Sequence, residues 1–128
     1  VQFVEDKVER YTTSTSYTDT GLSASITPTL STSKILLMWH ISNVMVATTG
    51  YGVKVLRDST AVFTNPNKYD PYHNTGSHRT RNSWTYLDSP ATTSSITYKV
   101  QTANLNSTAV VFNESSSQSS LLLMEIGV

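Results

Sequence analysis

Apolar residues recur at every second position through most of this chain, and short clusters of Ser, Thr, Asn, Gly and Pro separate the runs. That rhythm predicts β-strands, whose side chains point alternately to opposite faces. Leu22, Ala24 and Ile26 alternate with Ser23, Ser25 and Thr27, and Pro28 closes this half-buried strand because it has no amide hydrogen to give a ladder. Residues 34–46 form the strongest strand. One face carries Ile35, Leu37, Trp39, Ile41 and Met45; the other carries Leu36, Met38, His40, Ser42, Val44 and Val46. Apolar residues on both faces predict cover on both sides. Val53 and Val55 alternate with Lys54, residues 57–60 read as a turn, and residues 61–64 as the returning strand. Ile96, Tyr98 and Val100 alternate with Thr97, Lys99 and Gln101. Residues 108–112 return after a turn, and residues 121–126 are apolar on both faces, as a central or interface strand would be.

Between these strands lie turn signals at Gly21, at residues 31–33, at Asp88-Ser89-Pro90, at residues 104–107 and through the polar run 115–120. The count is eight to ten strands at a spacing of roughly 8–12 residues, the mark of an all-β antiparallel sandwich or jelly roll. Two segments do not follow the rhythm. Val1, Val4, Val8 and Tyr11 recur at heptad spacing, which fits the end of a coiled-coil stalk or a first strand with a charged edge. So short a repeat is too little for a coiled coil, and the strand is the preferred reading. Residues 65–83 hold Pro66, Asp70-Pro71, Gly76, two of the three histidines and Lys68, Arg79 and Arg81. They predict a long exposed excursion, of the kind that carries function or mobility. The strand after it begins at Trp84.

Composition narrows the class. Roughly a third of the 128 residues are Ser or Thr, far above ordinary usage. The length suits one domain over residues 1–128. Nine basic residues balance nine acidic ones, so no net field steers the chain onto nucleic acid. There is no cysteine for a disulfide framework, and no apolar run long enough for membrane insertion as a helix. A small domain without staples commonly gains stability by oligomerising. The start at Val1, without a visible signal peptide, suggests a C-terminal piece of something longer.

Candidate chemistry concentrates in the excursion. Tyr69, Tyr72, Arg79, Arg81 and Trp84 have the composition of a contact surface, where aromatic rings and guanidinium groups bring area and a polar handle. Sugars are held by the same means. His73 and His78, with Asp70, have the atoms for a metal, and one His per subunit on a three-fold axis is enough for an octahedral site. Their spacing matches no zinc pattern, and solvated loop histidines are the preferred reading, so no metal and no cofactor are expected. His40 reads as a hydrogen-bonded core residue. Asn106-Ser107-Thr108 and Asn113-Glu114-Ser115 fit the glycosylation pattern, which Ser/Thr-rich chains produce by chance. No Gly-x-Ser-x-Gly, His-Glu-x-x-His or phosphate loop is present, so catalysis is not expected.

Three stretches carry a family resemblance. "TDTGLSASITPTLSTSKILLM" (residues 18–38), "YLDSPATTSSITYKVQ" (residues 86–101) and "LLLMEIGV" (residues 121–128) resemble a C-terminal knob-like domain of tail-fibre proteins of bacterial and cyanobacterial viruses. The layout also resembles the trimeric jelly roll of tumour-necrosis-factor-like and complement-head domains. The resemblance implies a homotrimeric fibre tip on an extracellular virion, joined to the remainder of the fibre and bound to a host-surface glycan or protein receptor. It assigns no binding residues. The alternatives are a structural module that only trimerises or caps a filament, and a carbohydrate-active enzyme domain. The expected contact residues are Tyr69, Tyr72, His73, His78, Arg79, Arg81 and Trp84. The expected trimer face uses Leu36, Met38, Val44, Val46 and one side of residues 121–126.

Overall fold

The two-faced strand at residues 34–46 organises the molecule. In the computed structural model, which describes residues 1–128, it is β4 (Lys34–Met45), and ten further strands are arranged around it. One sheet contains β1 (Gln2–Asp6), β2 (Arg10–Thr12), β4, β8 (His78–Asp88), β10 (Val110–Phe112) and β11 (Ser119–Ile126). The other contains β3 (Thr18–Ile26), β5 (Thr49–Arg57), β6 (Thr60–Thr64) and β9 (Ile96–Asn104), with the two-residue β7 (Tyr72–His73) on the end of β5. All pairings are antiparallel. The expected all-β antiparallel sandwich is therefore what the chain forms, with eleven strands rather than eight to ten.

β4 is paired along both edges. β8 runs beside it from Ile35 to Met45, while β11 covers residues 34–40 of the opposite edge and β10 covers residues 43–45. Its inward face, Ile35, Leu37, Trp39, Ile41 and Met45, is buried as the alternation predicts. It meets Leu22, Val53, Val55, Tyr98 and Val100 of the opposite sheet in one continuous core. The side flanked by β6 and β8 is closed by aromatic rings: Phe63 lies edge-on to Trp39 at 5.4 Å and tilted to Tyr86 at 5.9 Å.

Two buried polar networks tie the layers. Tyr51 Oη donates to Asn43 Oδ1 at 2.8 Å, and Asn82 Nδ2 donates to the same oxygen at 3.0 Å. Burial pushes the Tyr51 phenol far above its ordinary value, so it stays protonated and able to donate. At the other end, the buried Asp88 carboxylate accepts from Arg57 Nη1 and Tyr98 Oη, each at 2.7 Å.

Several expectations need correction. Residues 1–12 form two short strands of one sheet, β1 and β2, rather than one. An Asp6–Arg10 ion pair spans the break. Gly21 is not a turn: β3 runs through it, and its register slips between Asp19 and Ser23. Gly21 sits at φ 92°, where a Cβ would lie 2.6 Å from Arg10 Nη2, so the glycine makes room for that ion pair. The long excursion ends at Ser77, because residues 78–83 belong to β8. Asp88 is more than turn chemistry, since its carboxylate is the acceptor of the buried network.

Asp88→Ala leaves a buried phenol and a largely buried guanidinium without their acceptor. It is expected to cost about 3 kcal/mol of stability, read as a lower midpoint in urea unfolding with an unchanged slope.

Candidate functional site

The expected contact residues fall into three separate places. The first is the loop 65–77. Its base lies on β5, where Gly50 and Gly52 make a flat shelf. A Cβ on Gly50 would meet the Pro71 carbonyl oxygen at 2.6 Å and that of Lys68 at 2.8 Å; one on Gly52 would meet Tyr17 Oη at 2.9 Å. Only glycine permits this approach. The loop is then tied down by polar contacts. Tyr17 Oη donates to the Asn65 carbonyl at 2.7 Å, Lys68 Nζ to the Thr15 carbonyl at 2.6 Å, and the Tyr51 amide to the Pro71 carbonyl at 3.1 Å. With its base fixed, the loop presents Tyr69 and Tyr72, both exposed, as a tilted ring pair 5.2 Å apart. His73 and His78 stack nearly parallel at 4.3 Å across the turn into β8. They do not converge with Asp70 into a group of three metal-ligating side chains.

The second place is the outward face of β4 and β8. Arg79 grips Glu114 through Nε at 2.8 Å and Nη2 at 3.3 Å, and Arg81 Nε donates to Ser42 Oγ at 3.0 Å. Between them and the turn at residues 113–117 lies a polar groove of about 610 Å³, the largest cavity in the molecule. Val44 floors it and is 4% exposed, so its own chain covers this side chain that the sequence assigns to a trimer face. The turn is held by Asn113, whose amide nitrogen donates to Asp6 Oδ2 at 3.0 Å and to the Val8 carbonyl at 3.2 Å, and whose oxygen accepts from Ser119 Oγ at 2.6 Å. Buried and fully bonded, Asn113 is not a glycan acceptor. Nothing in the spacing of Ser42, Glu114 and the serines at 115–117 announces that they meet Arg79 and Arg81, since the chain separation is more than thirty residues on either side.

Trp84 marks the third place, on the inner side of the sheet, apart from the other expected contact residues. Its ring stacks on Trp39 at 6.0 Å and packs against the core beside Tyr51. The alternation that puts Trp84 inward with Asn82 and Tyr86 puts Arg79 and Arg81 outward.

The outward face continues into an apolar strip. Cross-strand partners share a face, so the register aligns Phe3, Leu122, Met38 and Thr85 in one row and Met124, Leu36 and Leu87 in the next. Phe3 is 58% exposed, Leu87 47% and Met38 44%. A depression of about 260 Å³ lies between Phe3, Met38 and Leu122. A polar row of Glu5, Ser120, His40 and Ser83 separates this strip from the groove. His40 is thus on the outer face and half-buried rather than in the core, but it is hydrogen-bonded as expected. Nε2 donates to the Gln118 carbonyl at 3.1 Å, and Ser120 Oγ donates to Nδ1 at 2.9 Å.

No protein-family model and no curated protein sequence matches this chain. Among solved structures, the VP2 protein of infectious bursal disease virus in its subviral particle aligns with a TM-score of 0.51 at 14% identity, over 95% of this chain and 36% of that one. The structure of the Gx strain of the same virus aligns with a TM-score of 0.49 at 15% identity, over 95% of this chain and 37% of that one. The chain thus spans about a third of these proteins, and the likeness is one of fold: a β-sandwich that a viral capsid protein also uses.

Two outcomes are expected here. Gly50→Ala ought to favour a strand slightly, yet it drives a methyl group into the loop backbone. We expect a net loss of about 1–3 kcal/mol and faster proteolytic nicking within residues 65–77. The second concerns acid. Desolvation of the ring holds the His40 pKa below its ordinary 6.5, partly opposed by its bond to the Gln118 carbonyl. The unfolded chain therefore binds the proton first, and this contribution to stability is full above about pH 6.5 and lost as pH falls through the folded value. His40→Gln is expected to flatten the fall in melting temperature between about pH 7 and pH 5.

Proposed function

We propose that this domain is a structural module of a virion, assembled from identical copies through the outward strip of β1, β11, β4 and β8, with the loop 65–77 turned outward as a contact surface for the host. The observation that carries this reading is the apolar strip itself. Phe3, Leu36, Leu87, Met38, Leu122 and Met124 form two adjacent rows on one sheet face that the chain does not cover. A contiguous exposed patch of this kind marks an interaction surface. A second copy is its natural occupant, because the depression beside Phe3 suits another apolar side chain and the rows carry no charge of their own. Covering a half-exposed Leu, Met or Phe contributes about 1 kcal/mol. Six per copy go far against the cost of association.

The fold shared with a viral capsid protein supports a place in a virion, and the family resemblance of residues 18–38, 86–101 and 121–128 supports a fibre tip and a homotrimer. In that arrangement three weak sites on one rigid tip act together and raise avidity without new contacts. The module acts by binding, not by catalysis. A purely structural cap is the second reading, since the strip by itself accounts for assembly and asks for no receptor.

Sedimentation velocity on the intact protein tests assembly. The wild type should run as a multiple of the 14.1 kDa chain. Leu122→Asp, on the outer face, should keep its circular dichroism and run as a single chain. A wild type that remains a single chain at micromolar concentration contradicts the reading. For the loop, Tyr72→Ala should weaken attachment to host cells and change stability by less than about 0.5 kcal/mol. Normal attachment of this variant together with Tyr69→Ala would leave the structural cap as the function.

A further inference from the structure

We propose that the groove between β4, β8 and the turn at residues 113–117 is a binding site for a carboxylate-bearing saccharide, with the Arg81 guanidinium on the carboxylate. The inference rests on the host-contact reading above and places a ligand chemistry on a part of the surface that the loop 65–77 does not include.

Charge selects the anion. The groove contains two guanidinium groups and one carboxylate. Arg79 spends its fork on Glu114. Arg81 forms no ion pair, and only its Nε is engaged, by Ser42 Oγ. Its two terminal nitrogens are left as a planar pair of donors on a stem anchored at Nε. That geometry fits a carboxylate. One uncompensated positive charge matches one negative charge, and a dianion such as a phosphate monoester would also meet the Glu114 carboxylate at the rim.

The lining selects the rest of the ligand. Val44 is the sole apolar residue in it, so an apolar molecule would gain little by entering. The hydroxyl groups of Ser115, Ser116 and Ser117 make no hydrogen bond within the fold and line a cavity of about 610 Å³. Cavities of that size hold small ligands, here one or two sugar rings. Ring hydroxyls pair with such a lining, and the carboxylate fixes the orientation. The site is also built in advance. Asn113, Ser115 and Ser116 hold positive φ, and the turn is pinned by the Asn113 bonds and by the Ser115 amide donating to Glu9 Oε2 at 2.9 Å. Little ordering remains to be done on binding.

The groove stays open in an assembly. Val44 lies six residues along β4 from Met38, about 20 Å at strand rise, with the row of His40 and Glu5 between them.

Isothermal titration calorimetry with a galacturonate trisaccharide, set beside the neutral galactose trisaccharide, tests the proposal. Saturable binding of the charged sugar only is expected. Arg81→Ala should weaken it by about tenfold or more, and Arg81→Lys, which keeps the charge and loses the fork, by less. Ser116→Trp fills the groove, keeps every charge and should abolish binding; unchanged melting temperatures confirm that these variants fold. The proposal is overturned if the uronate does not bind, if the neutral or a sulfated sugar binds as well, or if Arg81→Ala and Ser116→Trp both bind normally. A wild type that attaches to host cells but ignores the uronate removes this inference and leaves the host-contact reading standing. One that binds the uronate but not cells does the reverse.

Discussion

β4 is hydrogen-bonded along both edges and apolar along much of both faces, and the rest of the domain is arranged to meet those demands. Its edges are met by β8 on one side and by β11 and β10 in succession on the other. Its inner face is met by the opposite sheet through Leu22, Val53, Val55, Tyr98 and Val100. The outer face is met only in part. Around Val44 the chain covers itself with the Arg79–Glu114 pair and the 113–117 turn; around Leu36 and Met38 it does not. The unmet half leaves Leu36 and Met38 partly open to water, which is why the proposed assembly uses it. The met half carries polar side chains that have a surplus of donors, and so becomes a groove.

The same face therefore divides by chemistry along the strand. Apolar rows at the start of β4 gain from being removed from water. Polar rows at its end lose by that removal unless every donor finds an acceptor. The row of Glu5, Ser120, His40 and Ser83 marks the border. His40 suits a border position because it is neutral when bonded to Gln118 and Ser120 and charged in acid. On the opposite sheet, two glycines do the work that side chains do elsewhere. By having no Cβ, Gly50 and Gly52 let the 65–77 backbone lie directly on β5, and a loop with no apolar anchor in the core is held in place.

Much of this was legible in the residues, and the limits have physical causes. Period-two alternation located β3, β4, β5, β9 and β11, because in each the core face is apolar and the pattern is strong. It missed the first half of β8, since His78, Arg79, Thr80, Arg81, Asn82 and Ser83 are all polar. That segment is a strand through its ladder with β4, a long-range pairing that local composition does not report. The error merged two surfaces into one: Tyr69 and Tyr72 belong to a loop, Arg79 and Arg81 to a sheet face, and Trp84 to the core. Gly21 was misread because a bulge glycine and a turn glycine look alike in sequence. Asp88 looked like turn chemistry because its partners, Arg57 and Tyr98, come from other strands.

In the proposed assembly the outward strip of β1, β11, β4 and β8 is covered by another copy while the loop 65–77 remains free. Covalent footprinting of the intact protein reads both at once. Met45 is buried in the core, whereas Met38 and Met124 lie on the strip. After mild peroxide treatment, Met38 and Met124 should be oxidised nearly as slowly as Met45, and Tyr69 and Tyr72 should be readily iodinated. Leu122→Asp should restore fast oxidation of Met38. If Met38 in the wild-type protein is oxidised as fast as free methionine, the strip is open to water and no second copy covers it.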